Sequence, residues 1–205
     1  MSDPDAGPRT RPGGRSARVR AALFEATLAE LVENGYAALS ISTVAARAGV
    51  HRTSVYRRWP DRDALLEAAL ASLTAEPVRP EDTGALETDL RRYAEGIITV
   101  LNGPAGTVLQ ALLSSDARSL PQADRLRQAL LSSRRALSAQ MLARAVQRGE
   151  IPATTVADDV VDLLVAPLYF RLLLTGEALD DALAARTARA AAAAARAGAL
   201  TAQTD

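Results

Sequence analysis

Residues 40–62, SISTVAARAGVHRTSVYRRWPDR, spell two short helices joined by a tight corner. Ser40 can cap a helix by accepting an amide hydrogen bond, Val44 and Ala48 share one face, and Gly49 is free to take a left-handed turn. That predicts a first helix over 41–48, with Val50 plugging the corner. A second helix from Arg52 carries Val55 and Trp59 four residues apart. Pro60 disfavours helical backbone at the residue before it, so this helix is expected to end near Trp59. At about 100° per residue, inward-facing Val55 and Trp59 leave Thr53 and Arg57 pointing outward, flanked by Ser54, Tyr56 and Arg58. The outer face is polar and basic. Arg52, Arg57, Arg58 and Arg62 fall within eleven residues whose only acid is Asp61. A charge run alone is usually solvated surface. Together with the corner and the short helices, it points to a helix-turn-helix laid against a phosphate backbone.

Working outward, residues 15–34 predict a helix with Leu23, Phe24, Thr27, Leu28, Leu31 and Val32 along one stripe, ended by Gly35. On the other side Asp61 caps a fourth helix, about 62–73, with Leu65, Leu66, Ala69, Leu70 and Leu73 on its buried side. Residues 1–14 contain Pro and Gly in quantity and read as a disordered basic arm. Arg9, Arg11 and Arg15 are within reach of phosphates or an adjacent minor groove, although an inert tail is the plainer reading.

Residues 15–73 closely resemble the DNA-binding domain of TetR-family transcriptional regulators. The resemblance is carried by Asn34-Gly35-Tyr36, Ser40, Val44-Ala45, Ala48-Gly49-Val50, Val55-Tyr56, Trp59-Pro60 and Arg62, followed by Asp63-Ala64-Leu65-Leu66. Three positions depart from the commonest pattern of that family: Arg58 stands where His is frequent, Trp59 where Phe is usual and Arg62 where Lys is usual. Each keeps the chemical character of the position, so the implied fold stands. The resemblance implies base-edge reading by His51, Arg52, Thr53 and Tyr56. It implies phosphate anchoring by Ser40, Ser42, Ser54, Arg57, Arg58 and Arg62.

A chain of 205 residues with 48% hydrophobic content can bury one or two real cores, so disorder throughout is excluded. With no cysteine, a disulfide framework and a thiolate zinc site are both impossible. The apolar run 163–170 is too short to span a bilayer, and the polar N-terminus does not read as a signal peptide; a soluble, cytoplasmic protein is expected. The zero net charge hides an asymmetry. Residues 1–62 hold ten arginines and six acids, whereas residues 63–205 hold fourteen and eighteen. The basic part is the part with the motif. Every basic residue is arginine, a feature more plainly assigned to codon bias than to mechanism.

Residues 74–83, with Pro77 and Pro80 among three acids, read as a linker. Beyond it, helical segments are expected at 84–101, 105–114, 122–148, 155–174 and 177–197, with no strand pattern. The fold class is therefore all-α: an N-terminal three-helix helix-turn-helix domain with its linking helix (15–73), then a helical effector-binding and dimerisation domain (84–205). The segment 155–174 is apolar nearly all round and must be covered on both sides. The alanine-rich 188–197 lets another backbone come close. These two segments are expected to form a homodimer interface, as the resemblance also implies; residues 105–199, including 148–151 and 167–176, resemble the C-terminal domain of one subgroup more loosely. A ligand pocket is expected between Tyr93 and Ile97, Val108 and Leu112, and Tyr169 and Leu172; mostly apolar, it would take an apolar or aromatic small molecule.

Two rival functions remain open at this point. Asp158-Asp159-Val160-Val161-Asp162 has the form of a magnesium-diphosphate clamp of prenyl-diphosphate enzymes, but acids in a first helical turn also simply offset the helix dipole. An all-helical interaction scaffold that never touches DNA is the other. The lone histidine, His51, leaves no second imidazole for a metal or a Ser-His couple, and Gly103-Pro-Ala-Gly106 lacks the lysine of a phosphate loop. The expectation is a dimeric repressor of a palindromic DNA operator, released by a small-molecule effector, with no cofactor and no metal.

Overall fold

The computed structural model describes residues 12–73, 78–113 and 120–202; most of the expected arm and linker residues 74–77 lie outside them. Two compact units divide between Ser72 and Leu73.

The first unit holds α1 (Pro12–Ala38), α2 (Ile41–Arg47), α3 (Arg52–Tyr56) and α4 (Arg62–Ser72). Helix α1 begins three residues before the expected start, so Pro12-Gly13-Gly14 form its first turn instead of the arm's end. Proline suits a first helical position, because the amide it lacks has no partner there anyway. Gly35, with φ +75°, breaks the helix where expected and leaves one further turn to Ala38. The buried face runs Leu23, Ala26, Thr27, Glu30, Leu31, rotated slightly from the expected stripe, so Val32 is exposed. The buried Thr27 hydroxyl is satisfied by donating to the Leu23 carbonyl at 2.7 Å. Helix α4 packs Leu65, Leu66, Ala69 and Leu70 inward, and the Ala64 amide donates to Asp61 Oδ1 at 2.8 Å, making Asp61 the expected cap.

The second unit holds α5 (Leu86–Leu101), α6 (Pro104–Leu113), α7 (Pro121–Gln147), α8 (Ala157–Phe170) and α9 (Asp181–Arg196). Helix α8 carries Pro167 and runs on into a π turn, Arg171–Thr175, closed by the Gly176 amide on the Arg171 carbonyl at 2.8 Å. The last helix starts four residues later than expected, because the Asp180 carboxylate caps it by accepting the Leu183 amide at 2.7 Å. Among the described residues there is no strand, only an isolated bridge between Thr155 and Thr201.

Helices α5, α8 and α9 enclose the main core, with α7 against α8. Ala184, Ala188, Ala191, Ala192 and Ala195 are buried within this chain, so the small residues serve its own helix packing. Helix α8 buries Val160, Val161, Leu164, Val165 and Leu168 in the same core. Its other side stays uncovered in the single chain: Leu163 is 39%, Phe170 55% and Leu174 74% exposed.

Polar pairing stitches the ends of three helices together. Arg148, just past α7, reaches Glu150 at 2.7 Å, Asp82 at 3.1 Å and the buried Asp89 of α5 at 3.5 Å. Glu150 also accepts the Leu86 amide at 2.9 Å and lies 3.6 Å from Arg196 of α9. Burial would raise the Glu150 carboxyl, but the Leu86 amide and the two guanidinium groups outweigh it and hold it below the usual glutamate range.

Candidate nucleic-acid interface

Two caps fix the corner of the helix-turn-helix. Ser40 is extended (φ −144°, ψ 155°); its hydroxyl accepts the Thr43 amide at 3.1 Å, while its own amide donates to Thr43 Oγ1 at 3.2 Å. Thr43 thus plays the reciprocal part that Glu or Gln usually takes in a capping box. At the other end of α2, Gly49 takes φ +64°. Its amide donates to Ala46 at 3.2 Å and the Val50 amide to Ala45 at 2.9 Å, the paired bonds of a Schellman stop.

Helix α3 is shorter than the expected 52–59. After Tyr56 the chain passes through a turn in which the Trp59 amide still reaches the Val55 carbonyl at 3.0 Å. The Trp59 ring meets Phe24 of α1 edge-on, with centroids 5.7 Å apart, and Pro60 prevents a further helical turn. Val55 is fully buried, and on the opposite side His51, Arg52, Thr53, Tyr56, Arg57 and Arg58 are exposed, Ser54 is half-buried, and Ser42 of α2 is exposed beside them.

Hydrogen bonds hold these side chains in place. Arg52 Nη1 donates to Ser42 Oγ at 3.2 Å, His51 Nδ1 lies 2.8 Å from Thr53 Oγ1, and Arg58 Nη2 donates to Ser16 Oγ at 2.9 Å. Ordering them before binding lowers the entropy lost on binding. Ser16 has no local signal in the sequence; only the fold brings it to Arg58. A shallow, open hollow of about 460 Å³ lies between Ser16 and Val19 of α1 and the His51, Ser54, Arg57 and Arg58 side of α3, and among the described residues no carboxylate lines it.

Two arginines of the motif region face other duties. Arg47 pairs with Glu30 at 2.7 Å and Glu33 at 2.5 Å on α1, which raises its basicity and tethers α2 to α1. Arg62, expected at a phosphate, donates through Nη1 to the carbonyls of Leu39 at 3.1 Å and Tyr36 at 3.4 Å. Its guanidinium lies 4.3 Å from the Tyr36 ring centroid. The Tyr36 hydroxyl donates to Asp63 Oδ1 at 2.6 Å; that bond to the carboxylate, and then burial, push the phenol up. Arg62 therefore buttresses the corner immediately before Ser40, a role invisible in its charge alone.

In the second unit Tyr93, Ile97, Val108 and Leu112 are buried, and Tyr169 and Leu172 half-buried. Helix α6 lies against α5 and the π turn, where Gln110 Nε2 donates to the Leu172 carbonyl at 2.6 Å. A Cβ on Gly106 would stand 1.8 Å from the Leu101 carbonyl oxygen, so only glycine lets α6 turn back this closely. Arg171 is paired with Glu177 at 2.9 Å. Asp158 of the possible diphosphate clamp is paired with Arg135 at 3.2 Å, and among the described residues no group of three or more His, Cys, Asp or Glu could hold a metal ion.

Two family models match the chain. Residues 23–69 match "Bacterial regulatory proteins, tetR family" and residues 80–191 match "Tetracyclin repressor-like, C-terminal domain". The uncharacterised HTH-type transcriptional regulator Rv1556 of Mycobacterium tuberculosis is 36% identical over 152 residues, 74% of this chain and 75% of that protein. The DNA-binding transcriptional repressor TetR of Mycobacteroides abscessus is 33% identical over 177 residues, 81% of this chain and 87% of that one. The crystal structure of MexZ, a repressor responsible for antibiotic resistance in Pseudomonas aeruginosa, superposes with a TM-score of 0.70 over 91% of this chain and 99% of its own; at 23% identity it supports the fold. No helix among the described residues is long and apolar enough to cross a membrane. A helix-turn-helix with a preorganised basic face, a helical second unit and two matching family models lead to one assignment, and they set aside both the enzyme and the scaffold: the chain belongs to the TetR family of DNA-binding transcriptional regulators.

Proposed function

We propose that this protein is a repressor that binds a palindromic operator as a homodimer and is released by a small-molecule effector. The observation that carries the reading is the outward side of α3, where three hydrogen-bonded side-chain pairs fix a polar, basic face. On this face His51, Arg52, Thr53 and Tyr56 read base edges, while Ser42, Ser54, Arg57 and Arg58 hold phosphates. Ser40 and Arg62 set the corner from which these residues project. The division of labour follows the chain: residues 15–73 bind DNA, 74–83 link, and 84–205 bind the effector and dimerise. The repressor named TetR among the relatives supports the sign of regulation.

The dimer forms through the outward side of α8 and α9. Leu163 and Phe170 lie seven residues apart, two helical turns, on a face left open in the single chain. Exposed Asp159 and Asp162 on α8 and Arg186 and Arg189 on α9 are complementary charges for a two-fold pairing. The effector site lies where α5, α6 and the π turn meet, bounded by Tyr93, Ile97, Val108, Leu112, Tyr169 and Leu172. Because four of these are packed away, an apolar or aromatic ligand must part α6 from the π turn. Its apparent affinity is reduced by the cost of that opening.

Gel retardation with the DNA upstream of the protein's own gene tests the reading: a discrete shifted band that resists excess random DNA is expected. Equal retention of random and upstream DNA would leave no sequence-specific regulator.

A further inference from the structure

The turn that ends α8 is one residue wider than an α-helical turn. Its closing amide, that of Gly176, donates at 2.8 Å to the Arg171 carbonyl five residues back, where an α-helical amide would take the Leu172 carbonyl four residues back. One turn earlier Pro167 has already withheld an amide from the Leu163 carbonyl, so the helical ladder is weakened before the wide turn begins. Gly176, at φ +68°, has the left-handed backbone that closes a helix in either register.

Widening the turn takes the helical donor away from the Leu172 carbonyl. Gln110 of α6 supplies another: its Nε2 donates to that carbonyl at 2.6 Å. The carbonyl thus has two alternative donors, the Gln110 carboxamide on the neighbouring helix and the Gly176 amide on its own.

Val108 and Leu112 on the buried side of α6, with the half-buried Tyr169 and Leu172, are the walls between which an apolar ligand would enter. Parting them breaks the Gln110 bond. A backbone carbonyl left without a donor in apolar surroundings opposes such an opening. Tightening of the turn removes that opposition, because the Leu172 carbonyl passes to the Gly176 amide and the Arg171 carbonyl to the Thr175 amide, each four residues on. Opening then breaks the Gln110 bond and orphans no backbone group.

We infer that Gln110 is the latch of the effector site and that the end of α8 is a two-register switch. With α6 closed, Gln110 holds the wide register; with α6 lifted, the turn takes the α-helical one. The inference rests on the effector site proposed between α6 and the π turn.

Titration with Nile red, a neutral aromatic probe, and amide hydrogen exchange followed by nuclear magnetic resonance test it on the full chain. Gln110 is exposed, so Gln110→Met keeps the length of the side chain and removes the donor without disturbing the core. This variant is expected to bind Nile red several-fold tighter than the wild type and to exchange the amides of α6 faster. Its Gly176 amide should stay protected, since it is bonded in both registers. Gln110→Glu, whose carboxylate has no donor, should behave in the same way. A Nile red affinity or an α6 exchange equal to that of the wild type would overturn the latch. A Gly176 amide that exchanges as fast as those of α6 would overturn the switch, because the turn would be fraying and not changing register. Nile red taken up by neither protein while α6 exchange accelerates would instead remove the effector site beneath the inference.

Discussion

Arg58 and Arg62 lie four residues apart with the same charge, yet their guanidinium groups have different partners. Arg58 is exposed, held by Ser16, and free to face a phosphate; Arg62 is bound to the Leu39 and Tyr36 carbonyls. Arg58→Ala should therefore weaken specific and random DNA binding alike and reduce the salt slope of log K by ~1. Arg62→Ala should leave the slope unchanged while destabilising the first unit by roughly 1–3 kcal/mol, through a lost ring contact and lost charged hydrogen bonds. Titrations at several salt concentrations, with thermal unfolding beside them, check both; a slope that fell equally in the two variants would contradict the distinction. Much of this face was legible in the sequence because helical periodicity sends Val55 inward, and so sends Thr53 and Arg57 out. The duties of Arg62 and Ser16 were not. A partner 23 or 42 residues away leaves no local pattern, and charge alone cannot say whether an arginine meets a carbonyl or a phosphate.

Helix α8 poses the same difficulty for an entire element. Its apolar residues run nearly all round, so periodicity could not say which side meets this chain and which side remains open. The fold divides them: Leu164 is fully buried in the core, and Phe170 is 55% exposed. Phe170→Arg or Leu163→Arg should yield a folded monomer by light scattering and circular dichroism, whereas Leu164→Arg should unfold the second unit by burying an unpaired charge. A Phe170→Arg, Leu163→Arg double variant that remained dimeric would place the interface elsewhere. The alanines of α9 were legible as a site of close approach, but not as an approach within one chain. The π turn after α8 had no sequence signal beyond Gly176, which closes it. The pairing at the ends of α5, α7 and α9 supplies a further test. Glu150 is held ionised below the usual glutamate range, so it adds stability above that range. That stability is lost as pH falls through it. Glu150→Gln should lower the melting temperature near neutrality and flatten its decline on acidification. An unchanged acid limb in differential scanning calorimetry would count against the role given to Glu150.

Across the whole molecule, the asymmetry of charge matches the asymmetry of structure: the excess of arginine lies with the helix-turn-helix, and the excess of acid with the unit that carries the main core. Family membership, the corner geometry and the fixed basic face agree on DNA as the partner. The chemistry of the proposed effector is not legible in the sequence, because its expected walls are residues that any helical core would use. Two identical heads on a two-fold dimer must meet two identical half-sites on one face of the duplex. Hydroxyl-radical footprinting on the DNA upstream of the gene measures this most directly. Two protected patches are expected, related as an inverted repeat, centred about one helical turn apart, and lost together in a Phe170→Arg, Leu163→Arg variant that remains folded. A single protected patch, or protection that follows no inverted repeat, would contradict it.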